Sequence, residues 1–117
     1  MSQQDKTNRP TEQLAAQARR VQALAAIVKI VRTKEGKSIE AAAKEAGVGH
    51  MTWRRLEEGN TVRAQTYAAL DRAYSLPPGT ALRAVNTDEG IVNLATHFAI
   101  GIVEASEYPP PQFVAEL

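Results

Sequence analysis

One segment, residues 38–59 (SIEAAAKEAGVGHMTWRRLEEG), restricts the possible folds of this chain more than any other. Apolar residues in its first half recur at i, i+3, i+4 and i+7, the period of a helix with one buried stripe. They are Ile39, Ala42, Ala43 and Ala46. Gly47 follows where a left-handed residue would end that helix, and Gly49 can begin a second one. The second helix places Trp53 and Leu56 inward, so the segment predicts two short helices joined by a tight turn.

The opposite face of the second helix is mostly polar and predicts a surface that binds DNA. It carries His50, Met51, Arg54, Arg55 and Glu58. Two short helices around a tight turn are typical of a helix-turn-helix motif, whose second helix enters the DNA major groove. A guanidinium of Arg54 or Arg55 can pair with both O6 and N7 of guanine. Met51 can touch a thymine methyl, and His50 can donate to a base or a phosphate. The alternative interpretation of the two arginines is a solvated helix face.

The motif resembles the λ repressor/Cro-type helix-turn-helix, also called XRE-like. The matching positions are Ala43, Gly47, Val48, Thr52, Trp53, Leu56, Glu57 and Gly59. The similarity extends over residues 24–85, because residues 66–76 resemble that family's fourth helix and residues 77–85 its short fifth helix. The family usually has Ile or Val where this chain has Trp53. It often has a phosphate-contacting Gln near the position of Ser38.

The resemblance implies an all-α fold: a compact five-helix DNA-binding domain with a long first helix, followed here by an additional apolar C-terminal helix. It also implies that the loop with Thr61 and Arg63 holds a DNA phosphate, and that Arg32 and Glu57 form a structural ion pair. The expected function is a sequence-specific transcriptional regulator of double-stranded DNA, a repressor, with a phage origin suggested by family and size. The residues expected to contact DNA are Ser38, Gly49, His50, Met51, Thr52, Arg54, Arg55, Asn60, Thr61 and Arg63.

The chain outside the motif divides into four parts. Residues 1–10 are polar and aperiodic and predict a flexible arm. Residues 11–85 form the domain, whose first helix begins at a Thr11 cap and carries a stripe of apolar residues. The stripe consists of Leu14, Ala18, Val21, Ala25, Val28 and Val31, widened by Leu24 and Ile27. Residues 86–106 predict a C-terminal helix, and residues 107–117 a proline-rich tail.

The charge is distributed unevenly along the chain. The net charge is +1, but residues 1–63 hold twelve Lys and Arg against seven Asp and Glu, so the first half of the chain is the part suited to nucleic acid. The adjacent pair Arg19 and Arg20 can either reach the DNA backbone or form a solvated face.

The chain has no Cys and two separated histidines, His50 and His97, so we expect no catalytic residues, no metal and no cofactor. No apolar run is long enough for a membrane span, and we expect a cytoplasmic protein.

The last helix leaves two questions of assembly and function open. Its apolar residues form two neighbouring stripes, one through Ile91, Leu94, Phe98 and Ile102, the other through Val92, Ala95, Ala99 and Val103. One stripe can pack on the domain while the other forms a homodimer. Alternatively, the long first helix folds back and buries the second stripe, and the protein is a monomer. A different functional class, an antitoxin-like protein-interaction module, would use the same apolar helix to bind another protein.

Overall fold

The described part of the chain folds into helices packed around one core. The computed structural model describes the backbone of residues 2–105 and the side chains of residues 11–99. Over that part there are six α-helices and no strand, which confirms the all-α prediction. They are α1 (Ser2–Lys34), α2 (Ile39–Ala46), α3 (His50–Glu57), α4 (Ala64–Ala73), α5 (Thr80–Asn86) and α6 (Asp88–Ala105). The predicted tail over residues 107–117 lies outside the described residues.

The core forms where α1, α3, α4 and α6 meet. Its largest fully buried side chains come from all four of these helices and lie on their apolar stripes. They are Leu24, Val28, Trp53, Leu56, Leu70 and Leu94. Small residues of α2 and α5 fill the remaining space: Ala42, Ala43, Ala46, Ala81 and Ala84. The alanines allow close approach, so the short helices pack tightly beneath the longer ones.

The first helix begins earlier than the sequence predicted. It starts at Ser2, so Thr11 lies inside the helix rather than at its cap, and residues 2–10 do not form a separate arm. The residues before Thr11 carry no apolar period, and Pro10 disfavours a helix interior because it has no backbone N–H to donate, so the sequence did not predict the helix that the structure has there. The buried stripe begins only at Val21; Leu14 is 68% exposed and Ala18 is also exposed. A helix of 33 residues is roughly 50 Å long, so its N-terminal half extends past the core.

Arg20 joins the first helix to the junction between α5 and α6. Its guanidinium donates to the Val85 carbonyl (3.0 Å), the Asn86 carbonyl (3.3 Å) and the Asp88 carboxylate (2.7 Å). Only 13% of the Arg20 side chain is exposed. The solvated-face alternative for Arg20 is therefore wrong, and its Nε and both Nη atoms donate within the domain. Arg19 is exposed.

The sixth helix packs one of its two apolar stripes on the domain. Leu94 is buried, and Ile91 and Phe98 pack against the core. The Phe98 ring meets the Tyr74 ring edge-on with centroids 5.3 Å apart, and burial raises the pKa of Tyr74 to about 12. The side chains of Ile102 and Val103 lie outside the described residues.

Within the described ranges, no helix combines the length and the hydropathy that a membrane span requires.

The start of α6 is set by a close approach to α5. Thr87 caps α6, because its Oγ1 accepts the Gly90 N–H at 2.9 Å. A Cβ on Gly90 would lie 2.5 Å from the Arg83 carbonyl oxygen, so only glycine fits there without a shift of the backbone.

Candidate nucleic-acid interface

The turn between α2 and α3 is fixed by local hydrogen bonds. Ser38 caps α2, since its Oγ accepts the Ala41 N–H at 3.0 Å. Gly47 adopts φ +77°, a left-handed conformation that ends α2. The next amide, Val48 N–H, donates back to the Ala43 carbonyl at 3.0 Å and closes the turn. These bonds set the direction in which α3 leaves the turn.

Helix α3 has one buried and one outward face. Trp53 and Leu56 are each 1% exposed and define the buried face. Successive residues of a helix are rotated by about 100°, so Met51 lies opposite that face, with Arg54 and Arg55 on either side of it. Met51 is 58% exposed, and both arginines are exposed as well. His50, at the N-terminal end of α3, and Glu58, just past its C-terminal end, are also exposed.

A buried carboxylate holds α3 against α1. Glu57 accepts Arg32 Nε at 2.6 Å and Arg32 Nη2 at 3.0 Å, so the ion pair implied by the resemblance is present. Only 5% of the Glu57 side chain and 14% of the Arg32 side chain are exposed, and the hydrogen bond to Glu57 raises the pKa of Arg32. Arg32 Nη1 also donates to the Lys37 carbonyl at 2.8 Å. The Arg32 guanidinium thus fixes both the turn that follows α1 and the orientation of α3 against α1.

The indole of Trp53 adds a further bond to this network. Its Nε1 donates to Glu57 Oε2 at 2.7 Å, the same oxygen that accepts Arg32 Nε. The aliphatic side chain usual at this position in the resembling family has no such donor. Trp53 is therefore a core residue, as its spacing predicted, and it also orients the carboxylate that anchors the helix.

A cleft of about 880 Å³ lies between α3 and α4, and we call it the α3–α4 cleft. It brings together five of the ten predicted DNA-contacting residues: Gly49, Thr52, Arg55, Thr61 and Arg63. Sequence reasoning missed Gln65 and Arg72, which also line it. A signal was available, since Gln65, Ala69 and Arg72 recur at i, i+4 and i+7 and so share one face of α4.

The remaining predicted contact residues lie outside this cleft. His50, Met51 and Arg54 belong to the exposed part of α3, while Ser38 caps α2. Asn60 is exposed in the loop after Gly59, a left-handed glycine (φ +85°) beside the Gln22 side chain. His97 lies on α6 and packs edge-on against Phe98, with ring centroids 5.1 Å apart.

Six packed helices, with a tight turn between α2 and α3 and an uncovered face on α3, define a helix-turn-helix DNA-binding domain. A family model described as a helix-turn-helix domain matches residues 13–85, more than half of the chain. The chain belongs to this helix-turn-helix domain family, consistent with its resemblance to λ repressor/Cro-type proteins. No curated protein and no solved structure matches the chain.

Proposed function

We propose that this protein is a sequence-specific regulator of transcription that inserts α3 into the major groove of double-stranded DNA. The observation that carries the proposal is that the outer face of α3 is exposed and its side chains are unpaired among the described residues. Met51, Arg54 and Arg55 are exposed there, and none of these side chains forms a hydrogen bond or ion pair with another described residue. Meanwhile α3 itself is held rigidly through Glu57. A fixed helix with unused donors on its outer face suits direct reading of base edges.

The positions on α3 support a division of roles. Met51 lies at the centre of the outer face and can contact a thymine methyl, while Arg54 can pair with guanine O6 and N7. His50, at the helix start, can donate to a base or phosphate. Thr61 and Arg63 follow α3 in the loop and are suited to phosphate contacts, which position the protein without reading sequence. Ser38 and Asn60 are further candidates for phosphate contacts, because each is polar and exposed.

We infer that the regulator acts as a repressor. A domain that occupies its site tightly prevents polymerase from using the same DNA, and this mode of action requires no chemistry beyond binding. The family assignment supports the DNA-binding part of the proposal.

We also infer that the protein binds as a homodimer through α6. Val92 is 60% exposed, and Ala99, seven residues further along α6, is exposed on the same side. Helix pairs that meet around a two-fold axis use one self-complementary surface. Such a dimer would present two α3 helices to successive major grooves, about 34 Å apart on the DNA.

Site selection from a randomised duplex pool, followed by affinity measurements, tests the proposed function. We expect the parent to bind the selected site more tightly than scrambled DNA, with a steep negative slope of log affinity against log salt. Arg54→Ala should lose about 1–3 kcal/mol of discrimination at one base pair. Arg83→Ala is the control, since Arg83 pairs with Glu89 on the surface of the α5–α6 junction.

Two results would contradict the proposal. Equal affinity of the parent for all sequences would remove the sequence-specific function. Absence of binding at low salt would favour the protein-interaction module, with its apolar C-terminal helix as the contact surface.

A further inference from the structure

We propose that the α3–α4 cleft is a binding site for a phosphate group and that Arg72, on α4 and outside the helix-turn-helix motif, is one of its ligands. The DNA backbone is the source of phosphate that the geometry favours, and to that extent the inference rests on the proposed function. It goes further in extending the phosphate contact from the loop to the cleft and in assigning a role to Arg72, which neither the motif nor the resemblance identifies.

The arginines of this protein fall into those that pair with a carboxylate and those that do not. Arg20, Arg32 and Arg83 each bind a carboxylate, that of Asp88, Glu57 and Glu89 respectively. Arg19 and Arg54 lie outside the α3–α4 cleft and have no carboxylate partner among the described residues. The three arginines that line the cleft have none either. They are Arg55, Arg63 and Arg72. Because all three line one concavity, they make it electropositive, and an electropositive concavity attracts an anion.

No acidic side chain belongs to the described lining of the cleft. Asp71 is adjacent in sequence to Arg72, but it is 3% exposed and its two oxygens accept the backbone N–H groups of Gly79 and Ala81, each at 2.9 Å. Both oxygens of that carboxylate are therefore bound to backbone amides, and Asp71 does not belong to the cleft lining.

The cleft also holds hydrogen-bond donors other than the arginines. Thr52 and Thr61 bring hydroxyl groups to the cleft lining. Gly49 directly precedes α3 and Arg63 directly precedes α4, and neither residue provides a side-chain cap for its helix. The first amides of both helices thus remain without a capping side chain, and amides at helix starts favour anions. Guanidinium, hydroxyl and amide donors together match the oxygens of a phosphate.

The position of the cleft favours the DNA backbone as the source of the phosphate. Thr52 and Arg55 lie both on α3 and in the cleft lining, so the cleft borders the outer face of that helix. A helix in the major groove, which is about 12 Å wide, has a phosphate strand on each side. The strand on the α4 side would then pass over the cleft. Arg55 would hold phosphate there, while Arg54, on the other side of Met51, would read a base.

The salt dependence of DNA binding tests the role of Arg72. Affinity for one random-sequence duplex is measured between low and moderate salt for the parent, Arg72→Gln, Arg63→Gln and the control Arg83→Gln. Each lost phosphate contact should reduce the magnitude of the log–log slope by about 0.9. We expect this reduction for the Arg72 and Arg63 variants and the parent slope for the Arg83 variant. Affinities for the preferred and scrambled sites should fall by the same factor in Arg72→Gln, with an unchanged melting temperature because Arg72 is exposed.

A second arm separates the sources of phosphate. Pyrophosphate is titrated into the ¹⁵N-labelled protein without DNA, and amide shifts at Gly49, Thr52 and Gln65 are followed in the parent and in Arg72→Gln. Saturable shifts that disappear in the variant identify a site that also accepts free phosphate compounds. A reduced DNA slope without saturable shifts assigns the cleft to the DNA backbone alone.

The two proposals fail in different ways. If the parent binds DNA but Arg72→Gln keeps its slope and pyrophosphate produces no saturable shift, the cleft inference is overturned and the DNA-binding function stands. If the parent does not bind DNA but pyrophosphate saturates the cleft, the proposed function fails and the phosphate site stands.

Discussion

At the residue scale, the orientation of α3 depends on one carboxylate with three donors. Glu57 accepts two bonds from Arg32 and one from Trp53, and all three groups are largely buried. Buried ion pairs contribute little net stability when complete, but the loss of one partner leaves the other charge unsatisfied. This arrangement makes Trp53 important both for packing and for the polar network.

Trp53→Ala should therefore unfold the domain or nearly so. Removing a side chain that is 1% exposed costs about 3–5 kcal/mol, a large part of the stability of a small domain. Trp53→Phe retains most of the packing and loses mainly the bond to Glu57, which we expect to cost about 1.5–3 kcal/mol. Urea denaturation of both variants measures the difference. A Trp53→Ala variant with parental stability and no DNA binding would show that this ring contacts DNA instead.

At the element scale, the connection between α4 and α5 is held by a residue that the motif analysis did not identify. Asp71 is buried near the end of α4, and its carboxylate accepts the Gly79 and Ala81 amides across the intervening turn. Those amides lie at the start of α5, where backbone N–H groups have no partner within the helix. Asp71 therefore replaces a local cap, because Gly79 has no side chain that can serve as one.

Asp71→Ala should destabilise the protein by about 2–4 kcal/mol, because the buried Ala81 amide and the partly buried Gly79 amide lose a charged acceptor at once. Asp88→Ala is the matched control, since the Asp88 side chain is 88% exposed and its ion pair with Arg20 should contribute less than about 1 kcal/mol. Thermal unfolding followed by circular dichroism compares the two variants. Equal losses of stability would mean that the buried carboxylate has no special role in joining α4 to α5.

At the scale of the whole molecule, the question is whether two copies associate. Removal of α6 does not answer it, because Leu94 is 1% exposed and its loss would damage the core. A substitution on the outer stripe is more selective. Val92 is 60% exposed, and Asn93, which follows it, is also exposed but faces a different side of the helix.

If the proposed α6 dimer forms, Val92→Glu should convert it to a monomer, because the substitution would bury a charge at the proposed two-fold contact. Asn93→Glu should leave the assembly unchanged. Sedimentation velocity over a range of concentrations measures both, and both variants should retain the parental fold by circular dichroism. A parent that remains monomeric at high concentration and protects a single non-palindromic half-site would contradict the dimer.

The sequence alone determined the features that depend on neighbours within about one helical heptad. The 3.6-residue period located the buried faces of α2 and α3, and Gly47 marked the turn between them. The exposure of Met51, Arg54 and Arg55 followed from the same period. The pair Arg32 and Glu57 was identified through the family resemblance, because no local pattern connects two residues 25 positions apart.

Only the tertiary structure decided which donors meet which acceptors across the fold. The arginines have the same chemistry in the sequence, yet Arg20 binds a carboxylate 68 positions away, whereas Arg72 lies in a cleft without one. The N-terminal start of α1 was also missed, because the polar residues there show no burial pattern. Long side chains reach partners that chain folding brings within a few ångströms, and that proximity has no periodic signature. The sequence thus predicted the helices and their faces, and the packing of those helices determined the role of each charge.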